Sequence, residues 1–292
     1  MCNKTYIWKE KKNKINNEKH WFKLWVSESY STRQLSNLSG HSRSKLSRIK
    51  DYWLEKTPTK IVNYSQYKYI IYDGTYFDND NCFICIMDSQ SKYIISSTYA
   101  DREGYYTTYL WFLNLKKQGL NPLYITMDGE KSVIRAIKET WPDVKIQRCL
   151  WHIQREGMRW LRTYPKTEAG KELRYILMSL CKIDSIEKKD MFIKTYKNWY
   201  YKYHNYIRSL PRETVAYKDL KKAMVLIYNA LPEMFHFIND KNVNKTTNTL
   251  ENFHSQLKAD YYRHRGLSKK HRFIYLLWYS YFKNNAKINN NS

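Results

Sequence analysis

Two apolar stretches of this chain end in the same dipeptide. The aromatic and β-branched run Tyr67 to Tyr72 leads into Asp73-Gly74, and the run Leu123 to Met127 leads into Asp128-Gly129. Between them, Asn81 precedes a run from Cys82 to Met87, the turn residues Asp88-Ser89-Gln90-Ser91 follow, and Tyr93 to Tyr99 resumes the extended pattern. These runs predict strands, the second and third closing as a meander. Gly104 to Gln118 places Tyr105, Tyr109, Phe112 and Leu113 three or four apart, which predicts an amphipathic helix. Ser132 to Thr140 predicts a second helix, stopped by Pro142, and Val144 to Gln147 a short last strand. The order β-β-β-α-β-α-β is that of an α/β protein with a mixed sheet.

On either side the pattern is helical. Residues 1–19, with Lys9-Glu10-Lys11-Lys12-Asn13-Lys14, predict a basic arm that needs a partner to order. Within residues 20–58, Trp21, Phe22, Leu24 and Trp25 open an apolar face. Ser31 reads as an N-cap, Gly40 as a turn and Ser42 as a second cap before Leu46, Ile49 and Trp53. Helix, glycine turn and helix is the layout of a helix-turn-helix, with Arg43, Lys45, Arg48 and Lys50 as DNA-facing residues; a small three-helix packing unit has the same pattern. Thr57-Pro58-Thr59 reads as a linker to a core at 62–150. Residues 151–243 carry aromatic-rich helices broken near Pro165, Pro211 and Pro232, and read as an insertion ahead of a last core segment at 244–285.

Lys and Arg total 51 against 27 acids, a formal net charge of +24. A duplex carries one negative charge per ~1.7 Å, so this surplus favours nucleic acid as partner; an ordinary basic protein shares the composition. The basic residues are spread along the chain, unlike a single membrane-surface helix. No apolar stretch approaches the ~18 residues a span needs, and no signal-peptide core follows Met1, so the chain reads as intracellular with no membrane partner. Five cysteines at irregular spacing argue against a disulfide framework.

Carboxylates at the ends of neighbouring strands converge on the rim of a sheet and repel unless a cation lies between them. Mg²⁺ or Mn²⁺ meets that need with oxygen ligands; either Asp-Gly alone also serves simply as a turn. Farther on, Glu251 lies in a helix with Leu250, Phe253 and Leu257 as its apolar stripe, a place where glutamates are ordinarily just exposed.

The segments DGTY (Asp73 to Tyr76), MDGEKSVIRAI (Met127 to Ile137), RCLWHIQR (Arg148 to Arg155) and TTNTLENFHSQLK (Thr246 to Lys258) resemble, in order, the mutator-like transposases of bacterial insertion sequences. The resemblance spans most of residues 20–285. It implies a ribonuclease H-like fold of the retroviral-integrase type, in which Asp73, Asp128 and Glu251 form a DDE triad holding two divalent ions. The implied reaction is metal-dependent cleavage at transposon ends and strand transfer into target DNA, with Asp73 between the ions and the other acids on either side. Implied partners are double-stranded DNA (terminal inverted repeats and target) and further copies of the chain, in a prokaryotic cytoplasm at the nucleoid.

Cys149 and His152, spaced C-x-x-H, stand beside the active site in that family, and Lys258 two helical turns after Glu251 is a phosphate-contact candidate. A zinc site on Cys149 and His152 would need further ligands, and Cys82-x-x-Cys85 falls in a strand where i and i+3 face oppositely. Arg263, His264, Arg265, Lys269, Lys270 and Arg272 form a basic patch suited to a phosphate backbone. Relatives of this kind commonly carry a cysteine-rich zinc segment before the helix-turn-helix, where this chain has only Cys2, so weakened end recognition is expected. Two other readings share these residues: a nuclease or resolvase without strand joining, and a non-catalytic DNA-binding remnant or repressor.

Overall fold

The computed structural model describes residues 11–59, 62–77, 81–264 and 266–291, and these fall into two compact units. One comprises Asn63–Glu251; the other joins the residues up to Val62 with those from Asn252 on.

In the second unit, α1 (Lys11–Ser27), α2 (Thr32–Ser39) and α3 (Arg43–Leu54) form the N-terminal part. The arm expected at 1–19 is therefore helical from Lys11, because the face that buries Phe22, Trp25 and Val26 is continuous with it; residues 1–10 lie outside the described part. Ser31 caps α2 through a reciprocal capping box with Gln34, Gly40 ends it in the left-handed region (φ 67°), and Ser42 caps α3. The Phe22 ring stacks on Trp53 and meets Trp278 edge-on. Trp278 belongs to α12 (Lys269–Asn291), which packs on α1 and α3. This C-terminal segment, expected with the α/β core, thus joins the N-terminal helices through its own aromatic face, a pairing that periodicity alone does not specify.

The first unit is mixed α/β, built on a sheet of β1 (Tyr69–Phe77), β2 (Asn81–Asp88), β3 (Ile94–Ala100), β4 (Tyr124–Met127) and β5 (Lys145–Arg148), in the order β3-β2-β1-β4-β5. The first three strands are antiparallel, while β4 and β5 run parallel to β1. Between them lie α4 (Tyr105–Lys117) and α5 (Lys131–Thr140). They cover one sheet face, where Phe112 touches Tyr72 and Trp141.

The helical run comprises α6 (Leu150–Leu161), α7 (Glu168–Ser179), α8 (Ile186–Ser209), α9 (Val215–Ala230) and the short α10 (His236–Asn239). It has its own core, with Leu173, Leu177, Trp199, Ala223 and Ile227 buried. The chain then returns along the other sheet face. Gln147 ties it to β5, its Nε2 donating to the Met234 carbonyl (2.7 Å) and its Oε1 accepting from the His236 amide (3.0 Å). The Tyr69 hydroxyl donates to Asp240 (2.8 Å) and the Thr126 hydroxyl to the Asn244 carbonyl (2.9 Å). The segment ends in α11 (Asn248–Tyr261), whose first turn holds Glu251. No helix among the described residues is long and apolar enough to cross a membrane.

Candidate active site

The site grows out of strand register. On the parallel pair, Tyr69 is level with Tyr124, Ile70 with Ile125 and Ile71 with Thr126. Carried on by two residues, the same register sets Asp73 beside Asp128. From β4 to β5, Thr126 is level with Gln147 and Met127 with Arg148, which sets Asp128 beside Cys149. Because side chains alternate along a strand, Asp73, Asp128 and Cys149 form one row on the face taken by the returning segment. Tyr69 stacked on Tyr124 and Thr126 bonded to Asn244 mark the same face.

The two Asp-Gly pairs have different local structures. The strand expected to end at Asp73-Gly74 continues to Phe77, because β2 supplies it with antiparallel partners, Asp73 facing Cys85 and Gly74 facing Ile84. Asp128-Gly129 does leave its strand. Gly129 has φ +104°, and a Cβ there would lie 2.0 Å from the Arg148 guanidinium. Through that gap Arg148 donates from Nε and a terminal nitrogen to the Asp128 carbonyl (3.3 and 3.2 Å), while Asp128 Oδ1 accepts from the Glu130 amide (3.1 Å).

Glu251 arrives by a set of bonds to the start of α6. The Leu150 amide donates to the Lys245 carbonyl (3.0 Å), and the buried Thr247 donates from its amide to Cys149 Sγ (3.3 Å). The Thr247 hydroxyl lies 2.6 Å from Glu251 Oε1, 3.4 Å from Cys149 Sγ and 3.4 Å from His152 Nδ1. His152 Nδ1 is 3.8 Å from Glu251 Oε1. Cys149, His152 and Glu251 place ligand atoms within 4.8 Å of one another; Asp73 and Asp128 are not in that group.

Electrostatics tie the acids together. Burial, then the charges of Glu251 and Asp128, push the Asp73 carboxyl well above the ordinary carboxylate range, with His152 pulling the other way. Burial also raises Cys149 and lowers His152, but each is outweighed by the other: their hydrogen bond and opposite charges leave the thiol below and the imidazole above their usual values. Both shifts favour a thiolate–imidazolium pair. A fourth acid, Glu103, lies on the opposite sheet face. It accepts from the Tyr72 hydroxyl (2.5 Å), and its Oε2 lies 3.0 Å from where Gly74 would carry a Cβ. Burial raises it to about 7, Tyr72 lowers it, and Asp128 adds to the rise.

Sequence reasoning missed Glu103 and Thr247 as individual residues. Glu103 ends no strand and matches no motif; its only signal is its place before Gly104, where α4 begins. Thr247 stood inside a quoted motif, but its role depends on contacts with residues about a hundred positions away.

The other candidates are more dispersed. Lys258 is half-buried on α11 and belongs to the other unit. There, Arg43 and Arg48 are exposed, and Lys45 is partly buried with its ammonium near His41 (3.3 Å). Lys50, expected to face outward, turns back over the Trp25 ring and donates to Thr32 (3.0 Å); burial lowers its pKa. In the basic patch Arg263 and Lys269 are exposed, Lys270 is ion-paired with Glu55, and Arg272 donates to the Tyr261 hydroxyl (2.7 Å). His264 is buried instead, 4.5 Å from Trp25 between ring centroids, and burial lowers it to about 4, so it is neutral at pH 7 and offers no charge to a phosphate. Arg265 lies outside the described residues. Cys82, Cys85, Cys149 and Cys181 form no disulfides, and Cys2 also lies outside the described part.

Comparison with known proteins gives concordant results. A transposase of an insertion sequence element from Lactobacillus helveticus is 23% identical over 233 residues, covering 78% of this chain and 58% of the relative. A probable transposase for an insertion sequence element of Corynebacterium diphtheriae is 28% identical over 110 residues, covering 36% of this chain and 32% of the relative. The chain thus spans less than two thirds of the length of either curated relative. A family model described as "Transposase, Mutator family" matches residues 15–265, and the chain belongs to that family.

Proposed function

We propose that the chain is an insertion-sequence transposase of ribonuclease H-like architecture, which cleaves DNA at transposon ends and joins the freed 3′ ends to target DNA. The observation that carries this reading is the sheet edge: the β1–β4 register, extended two residues past Ile71 and Thr126, sets Asp73 beside Asp128, and the Thr247 and Lys245 bonds lead Glu251 toward it. The names of the relatives supply the biological class.

The donor set fits a hard divalent cation such as Mg²⁺ or Mn²⁺. Three carboxylates offer oxygen ligands, and the rise of the Asp73 carboxyl, caused first by burial and then by the charges of Glu251 and Asp128, contains a crowding that such a cation relieves. Asp73, Asp128 and Glu251 would hold such ions, which would supply Lewis acidity to a phosphodiester. The chain's own part is to hold the acids in place. Strand register fixes Asp73 against Asp128, Arg148 fixes the Asp128 backbone, and Thr247 sets the Glu251 carboxylate. Protonated, His152 would add positive charge beside Glu251 and moderate the field at Asp73. The exposed Arg43, Arg48, Arg263 and Lys269 suit phosphate contacts.

The test is a joining assay on DNA carrying the sequences that flank the gene, with Mg²⁺. Nicking and 3′-end joining by the unmodified chain, both lost in Asp73→Asn, Asp128→Asn and Glu251→Gln, support the proposal. Nicking without joining would favour a nuclease or resolvase, and retention of joining in any of the three variants would refute the triad.

A further inference from the structure

Four donor atoms of different chemistry surround one point at the start of α6. Cys149 Sγ, His152 Nδ1 and Glu251 Oε1 belong to residues whose ligand atoms all lie within 4.8 Å of one another, and the Thr247 hydroxyl closes the group. Its edges include 3.4 Å from Thr247 to sulfur, 3.4 Å from Thr247 to nitrogen, 2.6 Å from Thr247 to the carboxylate and 3.8 Å from nitrogen to carboxylate. A tetrahedral zinc ion with bonds of about 2.0–2.3 Å has ligand-to-ligand edges of about 3.3–3.8 Å, so small side-chain shifts separate this group from a metal-sized tetrahedron.

We propose that Cys149, His152 and Glu251, with Thr247 or a water at the fourth corner, bind one zinc-type divalent ion, distinct from the hard ions of the carboxylate site, and that its binding withdraws Glu251 from that site.

Thiolate and imidazole select a borderline-soft ion such as Zn²⁺, whereas Mg²⁺ takes oxygen ligands and keeps water. On binding, the one proton shared by the Cys149–His152 pair is released to the buffer. The scaffold is rigid: the Cys149 amide donates to the Met127 carbonyl at 2.7 Å and the residue opens α6. Access is from one side, since Cys149 is buried while the His152 and Glu251 side chains retain 15% and 28% exposure. Cys82 and Cys85, the only cysteine pair at metal-like spacing, are buried in β2 and take no part. Glu251 can serve only one site fully at a time, so the two occupancies compete. The binding stands apart from the function proposed above; the inhibition rests on it.

The experiment is a Co²⁺ titration of the metal-free chain with excess Mg²⁺ present, followed by absorption. One equivalent should give a thiolate charge-transfer band and the visible bands of tetrahedral cobalt, displaced by Zn²⁺. Cys149→Ser should abolish the charge-transfer band, His152→Ala and Glu251→Gln should each weaken binding by more than about 100-fold, and Cys181→Ser should leave both unchanged. Should the buried Cys149→Ser variant fail to fold by circular dichroism, the His152 and Glu251 variants carry the test. A band that survives in folded Cys149→Ser, no band at one equivalent, or unweakened binding in the other two variants would overturn the site. In the joining assay Zn²⁺ should inhibit the Mg²⁺-dependent reaction; zinc binding without inhibition overturns the competition. Absence of joining in the Mg²⁺ control would count against the proposed function and leave the cobalt result standing.

Discussion

Ile71 and Thr126 stand level on neighbouring parallel strands, and the same register extended by two residues brings Asp73 and Asp128 to one edge of the sheet. β1 continues past this point on its antiparallel partner, while β4 ends at Met127 and turns. The segment that brings Glu251 returns along the sheet face where Tyr69 bonds Asp240 and Thr126 bonds the Asn244 carbonyl.

Removing charge from Asp73 should stabilise the metal-free protein. Its folded pKa is raised, so the folded carboxyl holds its proton longer than the unfolded one, and stability falls as pH rises from the unfolded value near 3.8. Asp73→Asn should therefore raise Tm in chelator at pH 7, with the gain shrinking toward pH 4, while activity drops by at least about 100-fold. Thermal melts across pH check the sign; an equal or lower Tm at pH 7 contradicts it.

Glu103 offers the same argument without touching the proposed triad. Its folded carboxyl titrates at about 7 against an ordinary 4.5. The penalty for ionising it builds up between those values, so Glu103→Gln should gain up to about 3 kcal/mol at pH 8 and little at pH 4. Urea unfolding at both pH values measures the difference.

Thr247→Ala should lower joining by loosening Glu251 and cost about 1–3 kcal/mol of stability, since the buried hydroxyl bonds a carboxylate. Thr247→Ser keeps the oxygen and should restore most activity. Equal loss in Ala and Ser variants would point to the methyl group's packing instead.

Gly129→Ala combines a left-handed backbone with a collision against Arg148. We expect a stability loss of more than about 1 kcal/mol and a fall in activity as Arg148 gives up the Asp128 carbonyl. Gly104→Ala, where a Cβ meets nothing within 4 Å and φ is extended, is the matched control.

Among the basic residues, exposure predicts two outcomes. Arg43→Ala and Arg48→Ala should weaken DNA binding and each reduce the salt slope by about one. Lys50→Met, whose ammonium already lies over Trp25, should leave the slope unchanged. Affinity measured at several salt concentrations separates them.

Local chemistry made much of this protein readable. Apolar runs predicted each of the five strands to within a few residues, and Ser31, Gly40 and Ser42 marked helix ends because caps and left-handed turns depend on the residue itself. The motifs singled out Asp73, Asp128 and Glu251 as candidate acids. Tertiary structure decided what depends on distant partners: that Asp73 lies inside a strand, that Thr247 meets Cys149, His152 and Glu251, that Glu103 bonds Tyr72 on the other sheet face, that α12 joins the N-terminal helices, and that Lys50 and His264 turn inward. A periodic pattern states which face of an element is apolar; it does not state which element that face will meet.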